Sequence, residues 1–214
     1  MVAQGQPFDV LLAGFVAGTL AAPVRVLIES HLELSPANRR YVSRLEALAG
    51  AELEELPPVP MPNRDERLAA IFALEPAPPV AVKPVAPAGR LPRALRAHLG
   101  HDIDAVAWKR VMPGLKEFRL PETDGCKSSL YRISPGKPMP HHTHEGQELT
   151  LVVEGGFSDA YGHYLRGDIA FADDEVDHRP IADPDGDCIC FAVLDAPLRM
   201  TGPILKYFGR FMKG

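Results

Sequence analysis

The chain has 214 residues, 46% of them hydrophobic, and a formal net charge of -5. That is enough apolar material to bury a core in one domain or two, and the acidic balance argues against a protein that holds nucleic acid by neutralising phosphates. With no run of eighteen apolar residues, no signal-peptide pattern at MVAQGQPFDVLLAGF and only three cysteines (Cys126, Cys188, Cys190), the expectation is a soluble, cytoplasmic protein without a membrane span.

The first 56 residues read as helical. Leu11, Leu12, Phe15 and Val16 mark one short helix closed near Gly18, and Pro23 suits the first turn of a second, in which Val24, Leu27, Ile28, His31 and Leu34 share a face. Ser35-Pro36 is an N-cap followed by proline, opening a third helix through Val42, Leu45, Ala49, Leu53 and Leu56. Three helices of this length make a small core, which implies an interaction surface, a dimer or a partner.

Residues 57 to 92 hold ten of the 22 prolines and read as a semi-rigid linker, extended here to residue 99. Inside it, Asn63-Arg64-Asp65-Glu66 has the pattern of a capping box, with Leu68, Ile71, Phe72 and Leu74 at near-helical spacing over about 64–75. A short amphipathic helix held between prolines cannot bury its own stripe, so it is expected to dock on the head or on a partner.

From residue 100 to 200 the period changes to alternation. LKEFRLP, CKSSLYRIS, ELTLVVEGG, FSDAYGHY, GDIAFAD and DCICFAVLDAP are short strand candidates separated by Gly, Pro and Asp turns, the pattern of an antiparallel barrel or sandwich. In the tail, 201–214, Thr201 suits the cap of a short helix carrying Ile204, Leu205, Phe208, Phe211 and Met212. The expected fold class is therefore α+β.

The chemistry concentrates at HHTHEGQELTLVVEG. His142 and His144 lie two apart, so a strand aims both to one side, and Glu148 opens the following apolar run. Gly136, His142, His144, Glu148 and Gly155 resemble the first motif of the cupin family at every spacing, and Gly167-Asp168 followed by His178 resembles its second. The loop of that second motif departs from the family at Asp173, Glu175 and Ala182. The resemblance implies a double-stranded β-helix, or jelly-roll barrel, with His142, His144, Glu148 and His178 around one divalent metal. Zinc is the expected ion, with iron, manganese, nickel or copper compatible with the same donors. Four ligands in a closed tetrahedron imply structure, while a larger coordination shell leaves room for water, substrate or oxygen. His141 and His163 lack such support and read as surface or supporting groups. Cys188 and Cys190 share a strand face at the limit of disulfide reach and read as two buried small hydrophobes, with an oxidisable pair as the alternative.

Helical head, proline linker and C-terminal cupin together resemble the ChrR family of anti-sigma factors over nearly the whole chain, with LLAGFVAGTLAAPVRVLIESHLELSPANRR as the family-like stretch of the head. The resemblance implies that the head binds an extracytoplasmic-function sigma factor and that the cupin is needed for its release under oxidative stress, by singlet oxygen or organic peroxide. It also implies a second zinc in the head, but of the family's His-x3-Cys-x2-Cys ligands this chain keeps only His31, with Ser35 and Asn38 at the cysteine positions and Gln4 and Gln6 where the family has a further histidine. Hydroxyl and amide groups compete poorly with thiolates for zinc, so the N-terminal zinc is expected to be absent, with Ser35 a helix cap and His31 a polar member of an apolar face. The leading expectation is a regulator rather than an enzyme, bound to a sigma factor, with a homodimer through the cupin as a further partner and no direct nucleic-acid contact. The alternative is a metal-dependent, dioxygenase-like cupin enzyme whose head is an oligomerisation module.

Overall fold

The computed structural model describes residues 6–75 and 89–201. Helix α1 (Gln6–Val16) ends at Gly18, whose φ of 70° gives the left-handed turn a β-carbon would resist. Helix α2 (Ala22–Leu34) follows with Pro23 in its first turn, and Ser35 closes α2 and opens α3 (Pro36–Glu54), its hydroxyl accepting the Asn38 N–H. These features agree with the sequence expectation. The apolar face of α3 does not, because only its first half meets the core through Asn38 and Val42, while Leu53 and Leu56 are 67% and 63% exposed.

Helix α4 (Arg64–Phe72) stands where a short helix was expected, but the capping box is not formed. Asn63 adopts a left-handed backbone with φ 55° and its side chain makes no cap bond, so the entry to α4 is a tight turn instead. None of its residues is buried. Residues 93–99, assigned to the linker by their neighbours, fold as α5 (Arg93–Leu99), with Leu91 and Leu95 buried. Its N-cap position, Pro92, has no polar side chain to offer. Glu33 at the end of α2 supplies the cap from across the chain, accepting the N–H groups of Arg93 at 2.7 Å and Ala94 at 2.8 Å.

Beyond a single 3-10 turn at Ile103–Ala105 the described residues form strands joined by turns and loops. Strands β1 (Lys109–Met112), β2 (Leu115–Arg119), β3 (Lys127–Ile133), β5 (Glu148–Glu154), β8 (Ile169–Ala172) and β10 (Cys188–Leu194) form one antiparallel sheet in the order β1-β2-β3-β10-β5-β8. Against it lie a pair, β11 (Leu198–Met200) with β4 (His142–His144), and a trio in which β6 (Gly156–Ser158) is flanked by β7 (His163–Leu165) and β9 (Ile181–Ala182). Every ladder is antiparallel. Gly155, at φ 70°, makes the corner from β5 to β6, where an added β-carbon would sit 2.4 Å from the Asp187 carbonyl oxygen. The expected helix after Thr201 lies outside the described residues.

The packing divides at the sheet. Strand β10 is buried at all seven positions. Ile189, Phe191 and Val193 join Leu149, Leu151 and Val153 of β5 in a core shared with Phe8, Leu12, Leu27 and Ile28 of the helices. Cys188 and Cys190 project oppositely, into a second cluster with Leu115, Ile133, Val152, Phe157 and Tyr164. Period-two alternation therefore gives one strand two jobs: its outer face holds α2, and its inner face lines the interior of the sandwich. Each fully buried Leu, Ile or Phe at the outer face contributes about 1.5–3 kcal/mol, so α2 is fixed to the sheet by packing rather than by its few polar contacts.

Candidate metal centre

The site is built on β4 and on the segment that carries His178. His142 and His178, thirty-six residues apart, exchange both backbone hydrogen bonds, N to O at 3.1 and 3.0 Å, as an isolated antiparallel bridge. His144 follows two residues on and shares the direction of His142, with β11 pairing Leu198 to His144 and Met200 to His142. All three imidazoles are buried, at 3%, 2% and 7% exposure for His142, His144 and His178. Their donor nitrogens lie within 4.8 Å of one another, a group drawn from three histidines and not including Glu148.

The tautomers follow from what each ring's other nitrogen meets. His142 Nδ1 lies 2.8 Å from the Pro140 carbonyl oxygen, which only accepts, so Nδ1 carries the proton. His178 Nδ1 lies 2.8 Å from Asp159 Oδ2 and donates likewise. Both Nε2 atoms are therefore bare in the neutral rings, yet they face each other at 3.1 Å, and His144 Nε2 stands 3.4 Å from that of His178. Two lone pairs at that distance repel unless a cation lies between them. Two nitrogens held by one zinc at about 2.0–2.1 Å in a tetrahedron are about 3.4 Å apart, so the spacing fits an ion. Burial lowers the pKa of His142 and His144 against the raising effect of the Glu148 charge, which keeps the donors neutral and available.

Glu148 opens β5 beside this group. Its Oε1 accepts from Thr150 Oγ at 2.6 Å, while Oε2 lies 3.2 Å from His144 Nδ1 but off the hydrogen-bond direction. Both of those facing atoms are buried without a hydrogen-bond partner among the described residues; for the carboxylate oxygen an ion held at His144 Nε2 and its neighbours would be that partner. Of the four residues singled out by the sequence motifs, the structure thus brings three imidazoles together and sets the carboxylate at their side. Neutral imidazoles with one carboxylate suit a divalent ion such as zinc, which would supply a positive charge and Lewis acidity there.

The sequence motifs missed Asp159. Its side chain is 2% exposed and sits in the β6–β7 turn, where Oδ1 accepts the N–H groups of Tyr161 and Gly162. Burial raises its pKa, but the bonds from His178 and from these two amides outweigh burial and hold the carboxyl below its ordinary value. His141 pairs with Thr201 and Asp177, and His163 with Asp183, both partly exposed and outside the cluster. Beside the histidines a cavity of about 40 Å³ is lined chiefly by apolar side chains, with Tyr131 and Cys190 on its wall. Cys188 and Cys190 are free and 3.5 Å apart; their mutual hydrogen bond and then burial push the Cys190 thiol well up.

In the head, His31 is 1% exposed and both ring nitrogens are engaged. Nδ1 donates to the Gly167 carbonyl oxygen at 2.7 Å, and Nε2 accepts from the Asn38 amide at 2.8 Å. Burial lowers its pKa against the pull of Gly167 and Asp168. His31, Ser35 and Asn38 thus form a hydrogen-bonded group whose nitrogens are already spent, and they do not fit a zinc ion.

The family model of the ChrR cupin-like domain matches residues 96–196. The anti-sigma-E factor ChrR of Cereibacter sphaeroides is 34% identical over 211 residues, covering 96% of each chain. The chain belongs to the ChrR family. The crystal structure of Rhodobacter sphaeroides SigE in complex with the anti-sigma ChrR superposes with a TM-score of 0.75 at 33% identity, covering 87% of this chain and 96% of that one. The likeness takes in the helices as well as the sandwich, so this ChrR-type chain has the α+β architecture of helical head and cupin. No described helix is long and apolar enough to cross a membrane.

Proposed function

We propose that this chain is an anti-sigma factor that binds an extracytoplasmic-function sigma factor through α3 and α4 and masks it from RNA polymerase. The observation that supports this most directly is the set of apolar side chains left in solvent: Leu53 in the last turn of α3, Leu56, Val59 and Met61 after it, then Ile71, Phe72 and Leu74, the last two 83% and 71% exposed. A folded chain that buries Leu27 and Phe191 completely leaves these seven large apolar side chains in water, a concentration that fits a partner's seat. The partner class comes from the relatives, whose names join ChrR to SigE.

The centre at His142, His144, Glu148 and His178 holds one divalent ion, zinc first, and the cupin modulates release of the sigma factor under oxidative stress. Signal and binding then meet at β10, whose inner face carries Cys190 beside the cavity and whose outer face holds α2. Release needs only that the altered centre favour a different packing of that strand, because coupling is a difference in affinity between two states. A metal-dependent oxygenase is the competing reading. The cavity's roughly 40 Å³ is an order of magnitude below the ~300–1,000 Å³ of small-molecule sites, which favours the regulator.

Mixing the purified full-length chain with an extracytoplasmic-function sigma factor from the same genome tests the proposal. A stoichiometric complex that blocks sigma-dependent transcription, and that dissociates when singlet oxygen is generated in the sample, is expected. A folded chain that leaves transcription by every such sigma factor of its genome untouched sinks it.

A further inference from the structure

The geometry points to Asp159 as a positioning residue for the metal centre, fixing His178 as the tautomer whose Nε2 is free to bind; this rests on the metal-binding reading above. Three observations carry it. The carboxylate is almost wholly enclosed, with 2% of the side chain exposed, so ionising it there must be offset by specific partners. Its two oxygens divide the work. Oδ1 is pinned by the amides of Tyr161 and Gly162 at 2.8 and 3.0 Å, and the turn closes on itself as the Asp159 N–H reaches the Gly162 carbonyl at 2.9 Å. Oδ2, which has no other described hydrogen-bond partner, faces His178 Nδ1 at 2.8 Å.

The contrast with His142 explains why a carboxylate is placed here. The ring of His142 is set by a backbone carbonyl, which the chain supplies two residues away. His178 arrives from the loop between β8 and β9, and its own backbone is paired to His142. Its Nδ1 meets the Asp159 carboxylate instead, and an enclosed anion on a hydrogen-bonded turn orients the ring and fixes which nitrogen carries the proton. Neither histidine motif includes position 159. The carboxylate enters from the strand pair between them, so the centre depends on three separate segments of the barrel.

The test uses the full-length chain and two substitutions. Asp159→Asn keeps an oxygen for the Tyr161 and Gly162 amides, but its amide nitrogen faces His178 Nδ1 as a donor, which drives the proton to Nε2. Asp183→Asn alters an equivalent carboxylate–histidine pair, that with His163, away from the cluster. Zinc affinity is measured by competition with a chromophoric chelator, and the tautomer of His178 by imidazole 15N and 13C shifts in the metal-free chain. Expected are Nδ1–H for His178 in the parent, zinc binding about 10- to 100-fold weaker in Asp159→Asn, and unchanged binding in Asp183→Asn. Parent protein that binds zinc with His178 already in the Nε2–H form overturns the role of Asp159, as does undiminished affinity in Asp159→Asn. Parent protein that binds no divalent ion overturns the metal reading itself. Should Asp159→Asn not fold, the parent's tautomer alone decides.

Discussion

His31 in the second helix donates its Nδ1 proton to the backbone oxygen of Gly167 in the β-sandwich, 136 positions away, at 2.7 Å. The contact sits beside a backbone packed so closely that a β-carbon on Gly167 would be 3.1 Å from the Leu34 β-carbon, at a φ of 96°. Gly167→Ala forces both a left-handed backbone and a crowded contact. A loss of about 1–3 kcal/mol in urea unfolding is expected, together with faster proteolysis of the segment after α3.

The other nitrogen of the same ring depends on Asn38. Asn38→Ala leaves a fully buried acceptor without its donor, at a cost of about 1–3 kcal/mol in the unfolding free energy. Ser35→Ala removes only a long cap bond of 3.5 Å and is expected to cost less, about 0.5–1 kcal/mol. Urea titrations of both variants check the order.

Acid should act on His31 in a definite direction. Its folded pKa is depressed below 6.5, so as the pH falls below about 6.5 the unfolded chain takes up a proton that the folded chain refuses. The stabilisation is complete above that value and is lost progressively as the pH drops toward the folded pKa. His31→Gln removes about one proton from the difference between the two states in that window, and the slope of unfolding free energy against pH should flatten accordingly.

The exposed helix separates binding from stability. Phe72→Ala is expected to change the unfolding free energy by no more than about 0.5 kcal/mol, since the ring touches little of its own chain. Affinity for the sigma factor should fall at least about tenfold, the loss typical of an anchoring aromatic at an interface. Titration calorimetry reads the second quantity and urea unfolding the first.

Cys188 and Cys190 are enclosed, and the thiol of Cys190 is held well above its ordinary pKa by its neighbour and by burial. Only the thiolate reacts readily with iodoacetamide. Native chain should therefore label at neither position over hours at neutral pH, and both should label within minutes once urea unfolds it, as mass spectrometry will show.

The histidine centre and the strands around it were legible because each carried a strong local signal. Alternation marked β2, β3, β5, β8 and β10, and the spacing from Gly136 to Gly155 marked His142, His144 and Glu148. Helix α5 was hidden because its two determinants lie elsewhere: the cap comes from Glu33, and Leu95 is buried against other elements. Asn63 misled because a capping pattern predicts a hydrogen bond only when the backbone enters the helix extended, and here it enters left-handed. Asp159 gave no sign, since FSDAYGHY read as one strand whereas the structure breaks it into β6 and β7 around the turn that holds Asp159, and its partner His178 is 19 residues away. The outer half of α3 read as core for want of any local mark separating a stripe that packs inward from one that waits for another protein.

Strand β10 has consequences for how this chain can change over time. Most strands of a sandwich have a wet side on which substitutions accumulate quietly. Here no position is idle, because whatever replaces Phe191 or Val193 must still suit the helices, and whatever replaces Cys188 or Cys190 must still suit the interior. Substitutions in this segment should therefore come as compensated sets, with partners in α2 for the odd-numbered positions and in β3 and β5 for the even-numbered ones. A deep mutational scan would find seven consecutive intolerant positions there, with rescue arriving from two different directions.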